Sequence, residues 1–302
     1  MNATMPRTIA EYLEQLRAAL QGADPALIQD ALYDAEDHLR SELAENPDKS
    51  EAQMLAKIAG SYGAPDEVAA IYVDKEYQVQ QALRSPPPPP RVSALGRFFG
   101  IGADARAYSA LFYMLLALPT GIFYFVWAVT GISLSIGLSI LIFGIAFAVL
   151  FVATVRVLSL VEGRIIEVML GERMPRRPLY SNAAKPLRAR VLEMFTDPRT
   201  WSTLLYMLLR LPLGIFYFTI AVAGITTSLA LIFAPVALML GHFGVIDGGL
   251  TIDNQEYLPP LITAPLAFLL GVILLFGMLH LARGIGHLHG SLAKHLLVKS
   301  AV

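Results

Sequence analysis

The stretch Tyr113-Met-Leu-Leu-Ala-Leu-Pro-Thr-Gly-Ile-Phe-Tyr-Phe125 decides the fold, because it returns 93 positions later as Tyr206-Met-Leu-Leu-Arg-Leu-Pro-Leu-Gly-Ile-Phe-Tyr-Phe218. Both copies lie inside long apolar runs. Self-similarity at a fixed offset indicates an architecture built by duplication. The repeat also constrains topology, because two copies of one membrane module are expected to enter the bilayer in the same sense.

Composition assigns the chain to the integral membrane proteins. Of its 302 residues 55% are hydrophobic and only 16% are charged, and the range 107–155 contains no Asp, Glu, Lys or Arg. That range is long enough for two spans of roughly 20 residues each. The absence of cysteine excludes disulfides, thiolate zinc sites and cysteine nucleophiles. The polar, acidic start does not resemble a signal peptide, so we expect the amino-terminal part to stay in the cytoplasm.

Residues 1–84 predict a small helical domain with recognisable helix starts. Thr8, Asp24 and Ser50 are expected to cap three helices, and Pro65 is expected to open a fourth. About 80 residues can form only a marginal core. Docking on a partner or on the membrane surface would therefore help this domain.

Three motifs in this domain resemble the HAAS domain, a helical cytoplasmic signalling module of bacterial membrane proteins. They are Tyr12-Leu13-x-x-Leu16, Glu36-Asp37-His38-Leu39 and Gly63-Ala-Pro65-Asp-Glu67-Val68-Ala69. The resemblance covers most of residues 8–75. It implies a role in membrane-linked signalling, with PadR-like regulators as neighbours of that family.

Glu36, Asp37 and His38 are a candidate polar cluster in the same domain. Adjacent residues on a helix point in different directions, so they cannot converge on one metal ion. A solvated helix face or a surface for a protein partner are the two readings that remain.

The range 85–107 is predicted to be a linker followed by an interfacial segment. Pro86 to Pro90 form a stiff, extended run that would span roughly 15 Å. The arginines and apolar residues of 91–107 alternate in a way that suits a segment lying at the bilayer surface.

The apolar runs predict four spans, at 109–130, 135–157, 202–224 and 261–282. A short turn at 131–133 is expected to join the first two. The domain 108–302 is then built from two tandem two-span repeats, 108–173 and 201–298. The segment Arg156 to Gly163 also matches Arg283 to Gly290 at an offset of 127, which aligns the second spans.

Charge predicts the orientation. Nine basic residues lie at the end of span two or between spans two and three: Arg156, Arg164, Arg173, Arg176, Arg177, Lys185, Arg188, Arg190 and Arg199. We therefore expect both termini and this linker to be cytoplasmic, in the bacterial inner membrane. The short apolar segment 227–243, interrupted by Pro235, is predicted not to cross, because a fifth crossing would place the basic tail outside. A re-entrant or interfacial segment is expected there.

The transmembrane part resembles the bacterial sensor domain found ahead of some histidine kinases. The motifs are Leu118-Pro119-x-Gly121-Ile-x-Tyr124-Phe125, Gly131-Ile-Ser-Leu134 and Leu211-Pro212-Leu-Gly214-Ile-x-Tyr217-Phe218. The resemblance covers most of 108–297. The chain departs from the pattern because no phosphoacceptor helix or ATP-binding region follows. Its output is then expected to be the HAAS-like head or a separate protein.

Pro119 with Gly121, and Pro212 with Gly214, are candidate relay positions within the spans. Each proline kinks its helix, and each glycine permits close helix contact. The pattern is compatible with shape and packing alone or with a hinge that relays motion.

Arg210 is the sharpest candidate, because it replaces Ala117 of the first copy about two turns inside span three. An ionisable residue at that depth is costly unless it is paired or hydrated. It could snorkel to the headgroups, or pair with Glu162, Glu167 or a lipid phosphate. His280 is expected at similar depth and in the same polar cluster.

His287, His289 and His295 crowd the carboxyl end but cannot share one helix face. We expect an interfacial polar face there and no metal site.

Together these features predict an all-α, non-enzymatic inner-membrane protein for sensing, signalling or partner docking. No catalytic, cofactor or metal residue is predicted, and the segregated charges give no indication of direct nucleic-acid binding. The expected partners are the lipid bilayer and a cytoplasmic or membrane protein, with homo-oligomerisation left open. The alternatives are a small transporter or lipid-handling protein and a structural subunit of a membrane complex.

Overall fold

The computed structural model shows a helical protein with one short β-hairpin among its described residues. The predicted all-α class is therefore confirmed. The chain forms two compact units, each described by itself below. Unit 1 holds Met1–Arg84, Val126–Leu208 and Gly290–Val302, and unit 2 holds Ser85–Phe125 and Leu209–His289. The described residues are 5–48, 50–58, 62–83, 93–177, 187–245, 250–252, 255–257 and 259–298.

The head consists of four helices in unit 1: α1 Ile9–Ala19, α2 Pro25–Glu45, α3 Glu51–Ile58 and α4 Pro65–Leu83. The predicted caps are confirmed. The Thr8 hydroxyl accepts a hydrogen bond from Glu11 N–H, the Asp24 carboxylate accepts one from Ala26 N–H, and the Ser50 hydroxyl accepts one from Gln53 N–H. Each cap satisfies a donor that the first turn of a helix leaves open.

The head core is closed by buried tyrosines as well as by aliphatic residues. The hydroxyl of buried Tyr12 donates to the carbonyl of Gly63, 3.0 Å away, and Gly63 has a φ of +108°, which favours glycine. The half-buried Tyr72 hydroxyl donates to Asp34 at 3.1 Å. Burial raises the pKa of both hydroxyls, and neighbouring charges, with Tyr62 acting on Tyr12 and Asp34 on Tyr72, raise it further. In the folded head these hydroxyls therefore stay protonated at a pH where exposed tyrosines ionise.

In the described residues after the head there are six α-helices: α5 Ala94–Phe99, α6 Ala105–Gly137, α7 Ile142–Leu170, α8 Leu187–Thr196, α9 Pro198–His242 and α10 Ala264–Leu297. Of the described helices, four (α6, α7, α9 and α10) are long and apolar enough to cross a membrane. The predicted number of spans is therefore matched. The proline run Pro86–Pro90 lies outside the described residues.

The predicted turn at 131–133 is wrong. Helix α6 continues to Gly137, and the chain turns at Leu138–Ile140 instead. Gly131 serves a packing need, because a Cβ there would come within 1.9 Å of the Phe151 ring. The glycine that suggests a turn in the sequence thus admits an aromatic ring of α7.

The prediction of a separate re-entrant or interfacial segment at 227–243 is also wrong. Helix α9 runs without a break through Pro212 and Pro235 to His242. Its 45 residues span about 68 Å, more than twice the roughly 30 Å of a hydrocarbon core. Gly271 of α10 packs closely against this continuous part of α9, because a Cβ on Gly271 would lie 2.7 Å from the backbone nitrogen of Ile232.

A short hairpin connects α9 to α10 and was not anticipated. Strands β1 (Leu250–Ile252) and β2 (Gln255–Tyr257) pair antiparallel, with Leu250 opposite Tyr257. Together with the longer α9, this hairpin accounts for much of the insertion that distinguishes the second copy from the first.

Candidate functional site

The head is attached within unit 1 by one buried arginine just beyond α7. Helix α7 ends at Gly171 in the left-handed conformation, and Arg173 follows with only 7% of its side chain exposed. Its guanidinium donates to Asp30 of α2 at 2.9 Å and to Glu76 of α4 at 3.0 Å. The same side chain lies 3.5 Å from Glu167 of α7. One cation therefore joins two helices of the head to the end of a span.

Asp30 completes this contact by binding the chain after α7 as well as the arginine. Its second oxygen accepts the backbone N–H groups of Arg176 and Arg177, at 2.7 and 2.8 Å. Burial raises the pKa of Asp30, and the hydrogen bond from Arg176 and the charge of Arg173 oppose that rise. The carboxylate thus needs these donors to remain charged in a buried place.

Arg173 depends on its acidic partners in the same way as Asp30 depends on its donors. Burial acts to lower its pKa, but the hydrogen bond to Glu76 and the charges of Asp30 and Glu167 raise the pKa above its ordinary value. Removing one member of such a buried set is costly, because it leaves the others desolvated without compensation.

Two further contacts bring α2 against other membrane helices of unit 1. Gln29 accepts a hydrogen bond from Arg199 at the start of α9 and donates one to the carbonyl of Arg177, each at 2.7 Å. Asp24 pairs with Lys294 near the end of α10. Helix α2 therefore contacts the segment that follows α7, the start of α9 and the last part of α10. We call the residues of these contacts the docking cluster: Asp24, Gln29, Asp30, Glu76, Arg173, Arg177, Arg199 and Lys294.

The docking cluster is complementary in charge, with carboxylates on the head and cations at the ends of the membrane helices or just beyond α7. Complementary charge fixes orientation and register in an interface. In the sequence, Arg173 and its neighbours contributed only to the orientation argument. Their partners could have been suspected, because Asp30 and Glu76 continue the apolar stripes Ala26–Leu27–Ala31 of α2 and Val68–Ala69–Tyr72 of α4. An acid on an apolar stripe signals a buried partner.

A second polar cluster lies inside unit 2, around Arg210. Its side chain is 1% exposed, donates to the Thr120 hydroxyl at 3.2 Å and lies 4.8 Å above the centre of the Tyr113 ring. The Tyr113 ring packs against His289, and the Tyr217 hydroxyl lies 3.4 Å from the same imidazole. Arg210 therefore does not snorkel, and its charge is held over an aromatic face inside the bundle.

Two other residues predicted near Arg210, Glu167 and His280, have different neighbours. Glu167 binds Arg164, Arg173 and Arg176. His280 is exposed and its Nε2 lies 3.0 Å from the carbonyl oxygen of Phe98.

The histidine beside Tyr113 is His289. The sequence predicts an interfacial polar face for it, and that prediction is wrong because His289 is buried. The repeat in the sequence already relates this histidine to another polar residue, because the offset of 127 residues aligns His289 with Glu162.

Within unit 2, Gly121 of α6 packs against the backbone of α9, and Gly214 of α9 packs against the backbone of α6. A Cβ on Gly121 would lie 2.6 Å from the carbonyl oxygen of Arg210, and a Cβ on Gly214 would lie 2.3 Å from that of Ala117. Since Ala117 corresponds to Arg210 and Gly121 to Gly214, the crossing of α6 and α9 has pseudo-two-fold symmetry. The prolines Pro119 and Pro212 lie within unbroken helices beside it. A relay role for these four residues stays a prediction.

The sequence offsets of the repeat also relate polar pairs found within each unit. In unit 1 the Tyr206 hydroxyl donates to Glu162 at 2.9 Å, and in unit 2 the corresponding Tyr113 packs on His289. The ion pair between Arg156 and Asp197 in unit 1 likewise corresponds to the ion pair between Arg283 and Asp104 in unit 2. In every case the second span of one copy contacts the first span of the other or the residue just before it.

Glu36, Asp37 and His38 of the head do not converge. Glu36 pairs with Arg40 at 2.8 Å, His38 stacks on Tyr62, and Asp37 is exposed. Within the described part of the chain, no group of three His, Asp or Glu side chains is placed to hold a metal ion. A partner surface at these residues stays a prediction.

Comparison with known families agrees with both halves of this description. A family model for HAAS matches residues 11–71. A second model, described as "Sensor: Putative sensor", matches residues 113–297, which is more than half of the chain. The chain belongs to the Sensor family. Its combination of Sensor and HAAS domains is that of a membrane signalling protein, and neither family is known as an enzyme family. HAAS domains are generally associated with regulators such as PadR-like proteins. No curated protein and no solved structure matches the chain.

Proposed function

We propose that this Sensor-family protein is a non-enzymatic signalling protein of the bacterial inner membrane, whose head reports the arrangement of the membrane helices. In this proposal the head, residues 1–84, and both termini are cytoplasmic. The linker 85–107 connects the head to the membrane domain 108–302. The proposed partner of the head, whether docked or released, is a PadR-like regulator. The observation that carries the proposal is the position of Arg173.

Arg173 makes docking depend on several helices at once. It contacts α2 and α4 of the head and Glu167 of α7, while Gln29 and Asp24 contact the ends of α9 and α10. A shift of one helix end relative to another would break part of the set. Breaking a buried ion pair typically costs about 3–5 kcal/mol, and each 1.4 kcal/mol is roughly a tenfold change in an equilibrium. Small rearrangements of the spans can therefore change the docked fraction strongly.

The first test measures docking itself. The chain has no native cysteine. Cysteines introduced at two exposed positions, Glu45 of α2 and Val168 of α7, would therefore carry the two spin labels and no other site would be labelled. The unmodified protein in nanodiscs should give one narrow distance distribution. Arg173→Ala should add a longer, broader population. Arg164→Ala is the matched control, because it also removes a partner of Glu167 but no contact with the head.

The second test asks whether the spans control docking. Gly214→Ala forces α6 and α9 apart at their crossing, whereas Gly277→Ala places a methyl group where nothing lies within 4 Å. The proposal expects the first variant, and not the second, to change the docked fraction. If Arg173→Ala undocks the head while Gly214→Ala leaves the distances unchanged, the head is anchored without reporting, and the proposal fails.

A further inference from the structure

Two short helices, α5 and α8, precede the first and third spans and extend the duplication upstream. At the 93-residue offset Arg97 corresponds to Arg190, Asp104 to Asp197, and Tyr108 to Trp201. The repeated element is therefore a short helix followed by two spans, and it is longer than the two-span repeats 108–173 and 201–298.

The local geometry of the two copies is the same. The Tyr108 hydroxyl donates to the carbonyl of Gly102 at 2.9 Å, and the Trp201 indole N–H donates to the carbonyl of Phe195 at 3.0 Å. Each donor reaches six residues back, across an aspartate that caps the span. Both rings nevertheless remain exposed, Tyr108 by 50% and Trp201 by 59%. Each copy thus fixes the polar atom of an aromatic side chain and leaves its apolar ring uncovered.

The short helices add further exposed apolar surface beside these rings. Leu95 and Phe99 are one turn apart on α5, and Leu95 is 70% exposed; Leu192 of α8 is 66% exposed. Exposed arginines accompany them, Arg97 on α5 and Arg188 on α8.

Both helices are held in place on their inner side. His280 of α10 contacts the carbonyl of Phe98 and stacks on its ring, which fixes α5 within unit 2. The Thr200 hydroxyl donates to Met194 and fixes α8 within unit 1. The exposed faces therefore do not result from loosely attached helices.

We propose that α5 with Tyr108 in unit 2, and α8 with Trp201 in unit 1, each form a lipid-binding surface that lies in the headgroup layer where its own span begins. Aromatic side chains with a polar tip concentrate at this depth of a bilayer. Short helices that expose arginine together with leucine or phenylalanine bind the same layer. Each surface is continuous with the first turn of a span, so the phospholipid layer is the occupant nearest at hand. The inference is independent of head docking.

Tryptophan fluorescence tests the proposal, because Trp127 and Trp201 are the two tryptophans of the chain. The full-length Trp127→Phe variant is reconstituted in phosphatidylcholine and phosphatidylglycerol vesicles. The phospholipids carry bromine near either the headgroup end or the methyl end of the acyl chain. We expect the shallow bromine to quench Trp201 at least twofold more strongly than the deep one. If Trp127→Phe fails to fold, subtracting the Trp201→Phe signal from that of the unmodified protein gives the same quantity.

Direct probes on the helices complete the test. In a background without native tryptophan, Leu95→Trp and Leu192→Trp report α5 and α8, and Phe216→Trp, exposed in mid-α9, calibrates the deep position. Shallow quenching of both helix probes and deep quenching of the calibration probe support the proposal. If neither bromine quenches the helix probes, they face water or protein. If the deep bromine dominates, they lie in the hydrocarbon core. Cross-linking between copies without lipid quenching would assign the surface to a second copy, and each of these three outcomes overturns the proposal.

Discussion

At the scale of single residues, Arg210 shows how a buried cation is accommodated in a membrane bundle. It lies over Tyr113, donates to Thr120 and is shielded from the bilayer. We expect Arg210→Ala to lower the free energy of unfolding on the order of 3 kcal/mol, because it removes a buried charge around which its neighbours are arranged. Leu209→Ala, at a partly exposed neighbour, is the matched control and should have a small effect.

The measurement is the melting temperature in mild detergent. Arg210→Lys should recover part of the loss, because an ammonium keeps the charge but cannot reproduce the planar stacking of a guanidinium. Equal melting temperatures for Arg210→Ala and the unmodified protein would contradict a buried structural role.

The sequence identified Arg210 but not its neighbours. A break in the repeat, Arg210 for Ala117, marks the residue as unusual. Its partners depend on how α6, α9 and α10 pack, and the sequence does not contain that information directly. The sequence predicts His280 in the cluster around Arg210 from its depth alone. The histidine of that cluster is His289, because His289 lies on the buried face of α10.

At the scale of helices, the crossing of α6 and α9 depends on two glycines. We expect Gly121→Ala and Gly214→Ala each to destabilise the protein by about 1–3 kcal/mol, the usual range for overpacking, because the new methyl group would meet a backbone oxygen at 2.6 or 2.3 Å. Gly277→Ala and Gly284→Ala on α10 meet nothing within 4 Å. They should be neutral or stabilising by up to about 1 kcal/mol, since alanine favours helices. Similar melting temperatures for both groups of variants would refute the close crossing.

The head is expected to lose stability at alkaline pH. Burial raises the folded-state pKa of Tyr12 and Tyr72, and the unfolded chain has ordinary tyrosine hydroxyls. Their contribution is therefore fully present below about pH 10, the unfolded pKa, and is lost as the pH rises above it. The loss should be up to about 1.4 kcal/mol per tyrosine for each pH unit. Denaturant titrations at pH 8 and pH 11 measure it, and Tyr12→Phe should show a smaller decline than the unmodified protein. An identical decline would assign the alkaline effect to other groups.

Helix starts were predictable from the sequence, and helix ends within the membrane were not. Thr8, Asp24 and Ser50 cap their helices through contacts two or three residues away, which a local pattern records. Gly131 and Pro235 have meanings that depend on distant partners. In water a glycine or a proline often ends a helix, but within a bundle Gly131 accommodates Phe151, and Pro235 lies in an α9 that packs on α10 at Gly271.

At the scale of the whole molecule, duplication has produced interleaved units. Unit 1 holds α7 of the first copy with the start of α9 from the second, joined by Arg156–Asp197 and Tyr206–Glu162. Unit 2 holds α10 of the second copy with the start of α6 from the first. Neither copy can therefore complete its contacts alone. The sequence showed the repeat, but the exchange of partners between copies is a property of the packing.

The four spans and the basic residues between α7 and α9 predict one topology, with both ends of the chain and the 178–186 linker on the cytoplasmic side and the β1–β2 hairpin outside. Because the chain lacks cysteine, single cysteines at Asn2, Tyr180, Leu250 and Val302 give unambiguous labelling with a membrane-impermeant maleimide in intact cells. We expect the reagent to label position 250 from outside and to reach 2, 180 and 302 only after the membrane is opened. The length of α9 makes this test sharp, since a 45-residue helix could in principle cross and still extend far beyond the bilayer. External labelling at 302 would mean an odd number of crossings and would remove the basis for a cytoplasmic docking cluster at Lys294.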